Sequence, residues 1–200
     1  MYLDDAELPP EPLSLFRSWY DDVRAAELPE PDAVVLATAG VDGRSVARFV
    51  LLRGLDERGF VWFTNRRSRK GRQLAENPWG CLTFPWYPLY RQVIVSGPVD
   101  VVDDTESDAY WANRPRGSQL AARVSDQSDP LPDRATLEDR FLAEERRFED
   151  EPVPRPSHWG GYRLAHQSVE FWHSRPNRLH DRVVYERDGS GGWRITRLYP

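Results

Sequence analysis

Residues 33–39 read Ala-Val-Val-Leu-Ala-Thr-Ala, an apolar run of strand length, and Asp42-Gly43 behind them is a hairpin-turn signal. A second strand is expected over 46–53 and a third over 60–64, joined at Asp56-Glu57-Arg58-Gly59. β-branched and aromatic residues around a Gly-containing turn predict an antiparallel hairpin. Ahead of these strands Leu15, Phe16, Trp19, Tyr20 and Val23 recur at helical spacing, which predicts an amphipathic helix over 12–26 ended by Leu28-Pro29-Glu30-Pro31. Residues 1–11 are acidic and proline-rich and read as an arm.

Beyond the hairpin, Ser68 is placed to cap a helix that starts at Arg69-Lys70 and stops at Asn77-Pro78. Strands are expected over 81–84 and 92–102, the second interrupted by Gly97-Pro98 as at a bulge or a sheet edge. A helical region over 104–123 breaks at Arg114-Pro115, and a polar loop covers 125–133. A charged helix over 136–149 turns Leu137, Phe141 and Phe148 inward. After a proline-rich connector come strands over 159–165, 168–172, 182–187 and 193–198, the last two joined by a turn over 188–192. Antiparallel strands with inserted helices predict an α+β fold around a small barrel, as one domain over 12–200 without internal repeats.

Composition narrows the function. The chain of 200 residues carries 27 basic against 32 acidic groups, and a net charge of −5 argues against a general nucleic-acid binder. No apolar run reaches membrane-spanning length and the N-terminus lacks a signal-peptide pattern, so the expected location is the cytoplasm. A single cysteine, Cys81, rules out an internal disulfide and a cysteine-rich zinc site. There is no G-x-G-x-x-G after a strand, no Walker loop and no G-x-S-x-G elbow. The histidines at 158, 166, 173 and 180 lack the close pairing of a zinc protease, and no metal is expected. Lys70 is the only lysine, a hint because a compact ammonium and a planar guanidinium are not interchangeable at a tight site.

Three clusters could carry chemistry. Arg69 and Lys70 at a helix start, with Arg48 and Arg53 on the preceding strand, make either a phosphate cradle or a solvated basic turn. In a regular strand Arg48 and Arg53 would point to opposite faces. Tyr110 and Arg114 share a helix face at i,i+4, with Ser118 beyond the break: a phosphate-binding set, or a surface pair and a turn serine. Alternation would place Arg178, His180 and Arg182 on one strand face, where they repel unless they meet anions or a solvent-filled cleft.

The segments R-F-V-L-L-R, W-F-T-N-R-R-S-R-K, F-P-W-Y-P-L-Y-R-Q-V, Y-W-A-N-R-P-R-G-S-Q-L, V-S-D-Q-S, W-G-G-Y-R, V-E-F-W and N-R-L-H-D-R run collinearly through the chain. In them it resembles the FMN-dependent pyridoxamine 5′-phosphate oxidases, over about residues 8–200. The resemblance implies an FMN-binding split β-barrel, antiparallel and Greek-key-like with flanking helices, working as a homodimer with two FMN sites at the subunit interface. It implies oxidation of pyridoxamine or pyridoxine 5′-phosphate to pyridoxal 5′-phosphate, with O2 as acceptor and release of H2O2. Carried over by position, FMN would be held by Arg48, Phe49, Val50, Leu51, Leu52, Arg53, Phe63 and Thr64, with Arg69 and Lys70 on its phosphate. Gln92, Gln127, Ser128, Trp172 and Arg182 complete the flavin set, some from the partner subunit. Substrate phosphate would meet Arg53, Tyr110, Arg114 and Ser118, while Arg178 and His180 lie over the pyridine ring as the catalytic pair.

Two departures stand out. Position 53 is Arg where the family usually has Lys. The residues before Leu8 contain no Arg, so no substrate-covering residue is carried over from the longer arm of the family. Two other readings follow from the same residues: a same-fold oxidase of the phenazine-pathway kind acting on a different substrate, or a non-catalytic flavin- or pyridoxal-phosphate-binding protein with Lys70 as a Schiff-base lysine.

Overall fold

In the computed structural model, which describes residues 3–200, helix α1 (Pro12–Ala25) fills the mouth of a curled antiparallel sheet. Pro12 sits in its first turn, where its missing N–H costs nothing, and Leu13, Phe16, Trp19, Tyr20 and Val23 form one buried stripe. Phe16 meets Phe60 and Phe84 edge-to-face at 4.9 and 4.8 Å, so the helix and both walls of the barrel share one core. Residues 3–11, expected as an arm, lie against the last strands: Arg197 Nη2 donates to Leu3 O at 2.8 Å and Tyr185 Oη to Pro9 O at 3.0 Å.

Strand β1 (Ala33–Ala39) buries Val34, Leu36 and Thr38, pairing with β2 (Ser45–Leu51) on one side and β5 (Trp79–Phe84) on the other. The next strand after β5, β6 (Arg91–Val101), buries every second residue from Arg91 to Val99, the period-2 signature of a strand with one covered face. The first sheet continues through β8 (Ser168–His173), β9 (Asp181–Arg187) and β10 (Trp193–Arg197), giving the order β10-β9-β8-β6-β5-β1-β2. The second joins β3 (Gly54–Asp56), β4 (Gly59–Asn65) and β7 (Trp159–Leu164) to the far end of β6. This is a split β-barrel of the α+β class.

Two local expectations are corrected. Gly97-Pro98 marks neither a bulge nor an edge: β6 stays paired with β5 from Val93 through Pro98 and exchanges its other partner there, from β8 at Arg91–Ser96 to β7 at Val99–Val101. Gly97 is required because the chain crosses itself; a Cβ would sit 1.9 Å from Ala165 O. The strand expected over 46–53 ends at Leu51, and Leu52 is buried in the core. The chain then turns into the second sheet, Arg53 N–H donating to Val61 O at 2.8 Å, so Arg48 and Arg53 do not lie on one regular strand.

Outside the barrel, α2 (Arg69–Glu76) follows β4, and α3 (Asp104–Ala112), α4 (Arg116–Val124) and α5 (Arg134–Arg147) form a helical flank. Trp111, Leu120, Phe148, Val153 and Trp159 make its separate small core. Leu137 and Phe141 of α5 are half-buried and line a groove, whereas Phe148 is buried as expected. Among the described residues no helix is long and apolar enough to cross a membrane.

Candidate active site

Strand β4 delivers Phe63 and Thr64, and the turn behind it is shaped by Asn65, whose Oδ1 accepts from Arg67 N at 2.8 Å. Ser68 caps α2, its Oγ accepting from Gly71 N–H. Gly71 packs so closely that a Cβ would meet Arg66 O at 2.0 Å. This tight entry holds Lys70 against the barrel wall at 7 % exposure. Its Nζ donates to Thr64 Oγ1 at 3.0 Å, Ser68 Oγ at 3.1 Å and Gln127 Oε1 at 2.8 Å. All three acceptors are neutral, and among the described residues no carboxylate pairs with the ammonium. Burial, and then the nearby Arg48, pull the Lys70 pKa down to about 8.

A second cation faces the same space. Phe63 stacks on Tyr110 of α3 with centroids 4.0 Å apart and 3° between planes, and on Trp159 at 5.6 Å. The Arg114 guanidinium lies 4.6 Å above the Trp159 ring and donates through Nη2 to Ser118 O at 3.1 Å. Its Nε is buried without a hydrogen-bond acceptor. Burial lowers the Arg114 pKa; Tyr110 opposes that shift and Arg53 adds to it.

Between these groups lies a cleft of about 390 Å³, lined by Phe49, Val50, Leu51, Arg53, Phe63, Thr64, Lys70, Tyr110, Arg114, Ser118 and Gln127 among others. Eleven residues singled out from the sequence therefore meet in one place, drawn from β2, β4, α2, α4, α3 and their loops. Arg48 stands behind Lys70, donating to Thr38 Oγ1 at 2.6 Å, Leu36 O at 3.2 Å and Gln73 Oε1 at 3.4 Å. Leu52 faces the core, and Arg69 and Ser128 are exposed beside the cleft lining rather than in it.

Gln92, Trp172, Arg178, His180 and Arg182 do not join this lining. Gln92, Trp172 and Arg182 sit side by side across β6, β8 and β9, on the sheet face turned away from the core. The expectation of Arg178, His180 and Arg182 on one strand face is corrected: β9 starts at Asp181, and Arg178 ends a 3-10 turn in which Asn177 and Arg178 have φ of 59° and 61°. His180 still reaches this face, its ring 4.7 Å from Trp172. Arg175 N–H donates to His180 Nδ1 at 3.1 Å, so a neutral His180 carries its proton on Nε2.

Sequence reading missed three features. One is the Phe63–Tyr110–Trp159 stack that supports Arg114; its only trace is an aromatic in each of three distant segments. Another is Asp32, whose Oδ2 takes the Arg53 guanidinium at 2.8 Å. The third is a groove of about 840 Å³ between α4 and α5 that shares Thr64, Arg114 and Gln127 with the cleft; the spacing of Leu137 and Phe141 is its signal.

The depressed Lys70 pKa fixes the sign of a pH effect. The folded protein releases this proton from about pH 8, whereas the unfolded chain keeps it to the ordinary 10.5. The buried charge thus costs stability below that window, and the cost is lost as pH rises through it. Affinity of the cleft for an anion should move the opposite way, falling by up to about tenfold per pH unit above pH 8. Calorimetric titration of inorganic phosphate into the protein at a series of pH values checks this; a flat affinity would exclude Lys70 as the anion's counter-charge.

Known proteins resemble this chain at three levels. A family model described as pyridoxamine 5′-phosphate oxidase matches residues 21–146, and a second, the pyridoxine 5′-phosphate oxidase C-terminal dimerisation region, matches 159–200. A pyridoxine/pyridoxamine 5′-phosphate oxidase of Burkholderia multivorans is 52 % identical over 200 residues, covering 99 % of this chain and 93 % of that protein. One of Gluconobacter oxydans is 50 % identical, covering 97 % and 96 %. The crystal structure of PhzG from Burkholderia lata, in complex with tetrahydrophenazine-1-carboxylic acid, superposes with a TM-score of 0.94 at 34 % identity, covering 100 % of this chain and 98 % of that one.

Proposed function

Because the chain belongs to the pyridoxamine 5′-phosphate oxidase family, we propose that it oxidises pyridoxamine and pyridoxine 5′-phosphates to pyridoxal 5′-phosphate, with FMN as cofactor and O2 as electron acceptor. The observation that carries this reading is the pair of uncompensated cations in one cleft, Lys70 at one station and Arg114 at the other. Buried cations held only by neutral groups are costly unless an anion arrives. Two such stations suit a flavin phosphate and a substrate phosphate.

The donor set fits FMN. Lys70 and the Arg69 side chain would hold its phosphate, while Thr64 and Gln127 offer hydrogen bonds beside them. A bound flavin would supply the two-electron acceptor, which no side chain of this chain provides. The chain's own residues bind and orient. Arg114, Arg53, Tyr110 and the Ser118 hydroxyl fix the substrate phosphate, and the Phe63–Tyr110 stack keeps water off the wall behind it. His180, with Nδ1 already accepting from Arg175 N–H, presents Nε2–H as a donor.

Arg178 and His180 lie outside the cleft of their own chain, which supports a homodimer in which the partner subunit supplies them. The face that His180 shares with Trp172 and Gln92 continues across the sheet through Ile94, Thr83, Val35 and Phe49, the last 68 % exposed. Such an apolar sheet face suits burial against a second copy. The Arg178 guanidinium makes no hydrogen bond among the described residues, so Arg178→Ala should leave folding and FMN content intact. Turnover is expected to fall about a hundredfold or more. Equal loss of turnover and flavin would make Arg178 structural instead.

The likeness to PhzG favours a second reading, oxidation of a non-phosphorylated reduced ring in the same cleft. One experiment separates the two. The flavin spectrum of the purified protein should bleach when pyridoxamine 5′-phosphate is added under nitrogen and return in air. A flavin that stays oxidised with that substrate, and bleaches with a dihydro-aromatic carboxylate, would give the second reading the site.

A further inference from the structure

We infer that Asp32 tempers the affinity of the substrate-phosphate station, by holding Arg53 in an ion pair that an incoming phosphate has to share. The inference rests on the assignment of Arg53 to that station. Arg53 stands between two clefts. One is the candidate site; the other, of about 360 Å³, is lined by Arg17, Tyr20, Arg24, Asp32, Leu52 and Gly54 among others. From this position its Nη1 donates to Asp32 Oδ2 at 2.8 Å.

Asp32 cannot follow Arg53 if the guanidinium moves. Its Oδ1 accepts from the Tyr20 hydroxyl, and Tyr20 is buried with its ring stacked on Trp86. Arg24 donates to the same hydroxyl at 3.1 Å and lies 3.6 Å from Asp32 Oδ1. The two backbones are tied as well, Leu52 N–H donating to Asp32 O at 2.9 Å immediately before Arg53. The carboxylate is therefore a fixed negative charge beside a station that has to take up a dianion.

A guanidinium carries five N–H donors, and Asp32 takes one of them. Among the described residues no other hydrogen bond uses the rest, and Arg53 also lines the candidate cleft, so phosphate and carboxylate can occupy two edges of one planar cation. A lysine ammonium, a single point charge, could not divide itself in this way. The combination Arg53 with Asp32 thus keeps a phosphate contact while cancelling part of its pull. Two like-signed anions a few ångströms apart at a partly solvated site cost about three- to tenfold in affinity.

The test uses the FMN-loaded protein, in which the Lys70 station is already filled on the proposed reading. Asp32→Asn keeps the acceptor for Tyr20 and removes the charge. Inorganic phosphate, titrated calorimetrically, should bind about three- to tenfold more tightly, and KM for pyridoxamine 5′-phosphate should drop by a similar factor while kcat moves little. Neither gain should appear for unphosphorylated pyridoxamine, nor when Asp32→Asn is added to Arg53→Ala. Unchanged or weaker phosphate binding in Asp32→Asn, with Arg53→Ala weaker than wild type, would overturn the inference and leave Arg53 at its station. Phosphate binding untouched by Arg53→Ala alone would remove Arg53 from the station, and the inference with it.

Discussion

Lys70→Met is expected to weaken FMN retention by about a hundredfold, or about 3 kcal/mol, while leaving the flavin-free protein as stable as before or more so. The two effects have opposite signs because they come from the same charge. Without an anion the ammonium is buried among Thr64, Ser68 and Gln127, and its low pKa is the signature of that cost. A methionine of similar length removes the cost. The neighbours are not stranded: Thr64 Oγ1 already donates to Gln127 Oε1 at 3.1 Å, and Ser68 Oγ keeps the Gly71 N–H. With FMN bound as proposed, the same substitution would take the Lys70 cation from the phosphate station and leave Arg69 there, with Arg48 behind it. Flavin fluorescence released on dialysis reads the first effect and thermal unfolding of the flavin-free protein the second. Tight retention together with a lower melting temperature would mean that Lys70 is a structural residue.

Arg114→Ala should raise KM for pyridoxamine 5′-phosphate by about a hundredfold, with far less effect on an unphosphorylated substrate. On the proposed reading Arg114 is a half-buried cation on the substrate side of the cleft, packed on the Trp159 face with a buried, unpaired Nε. A charge already stripped of water pairs strongly with an arriving dianion, since much of the desolvation cost has been met during folding. The Phe63–Tyr110–Trp159 stack does not depend on the guanidinium, so the melting temperature should fall by only a few degrees, corresponding to about 1 kcal/mol of lost ring contact. Steady-state kinetics on both substrates is the check. An equal loss on both would place Arg114 in the architecture of α3 and α4 rather than on the phosphate.

What could be read from the chain in advance was what local pattern controls. The strands β1 and β6, the stripe of α1 and the Ser68 cap each reappear within a residue or two of where the sequence puts them. Errors arose where a distant partner decides the outcome. Gly97-Pro98 reads as an interruption because a glycine and a proline weaken any isolated strand, yet here β5 holds one side while β8 gives way to β7 on the other. Arg178 and His180 were expected in strand alternation because nothing local announces two successive left-handed residues, Asn177 and Arg178, before β9. The cleft was legible as residue types, since the family motifs singled out eleven residues that the fold brings into one lining. Its balance of charge was not, since Asp32 reaches Arg53 across 21 residues through a turn, a hairpin and a change of sheet.

The exchange of partners along β6 has a consequence for how this chain can vary in length. A residue inserted at the tip over 188–192 would lengthen one hairpin, and one added over 125–133 would extend a loop already at the surface. A single residue inserted beside Gly97 would turn one arm of β6 inside out relative to the other, reversing which side chains face the barrel on both sheets at once. Shape-changing insertions are therefore confined to the rim, and the corner at Gly97 and Ala165 keeps a fixed residue count on which both walls are measured.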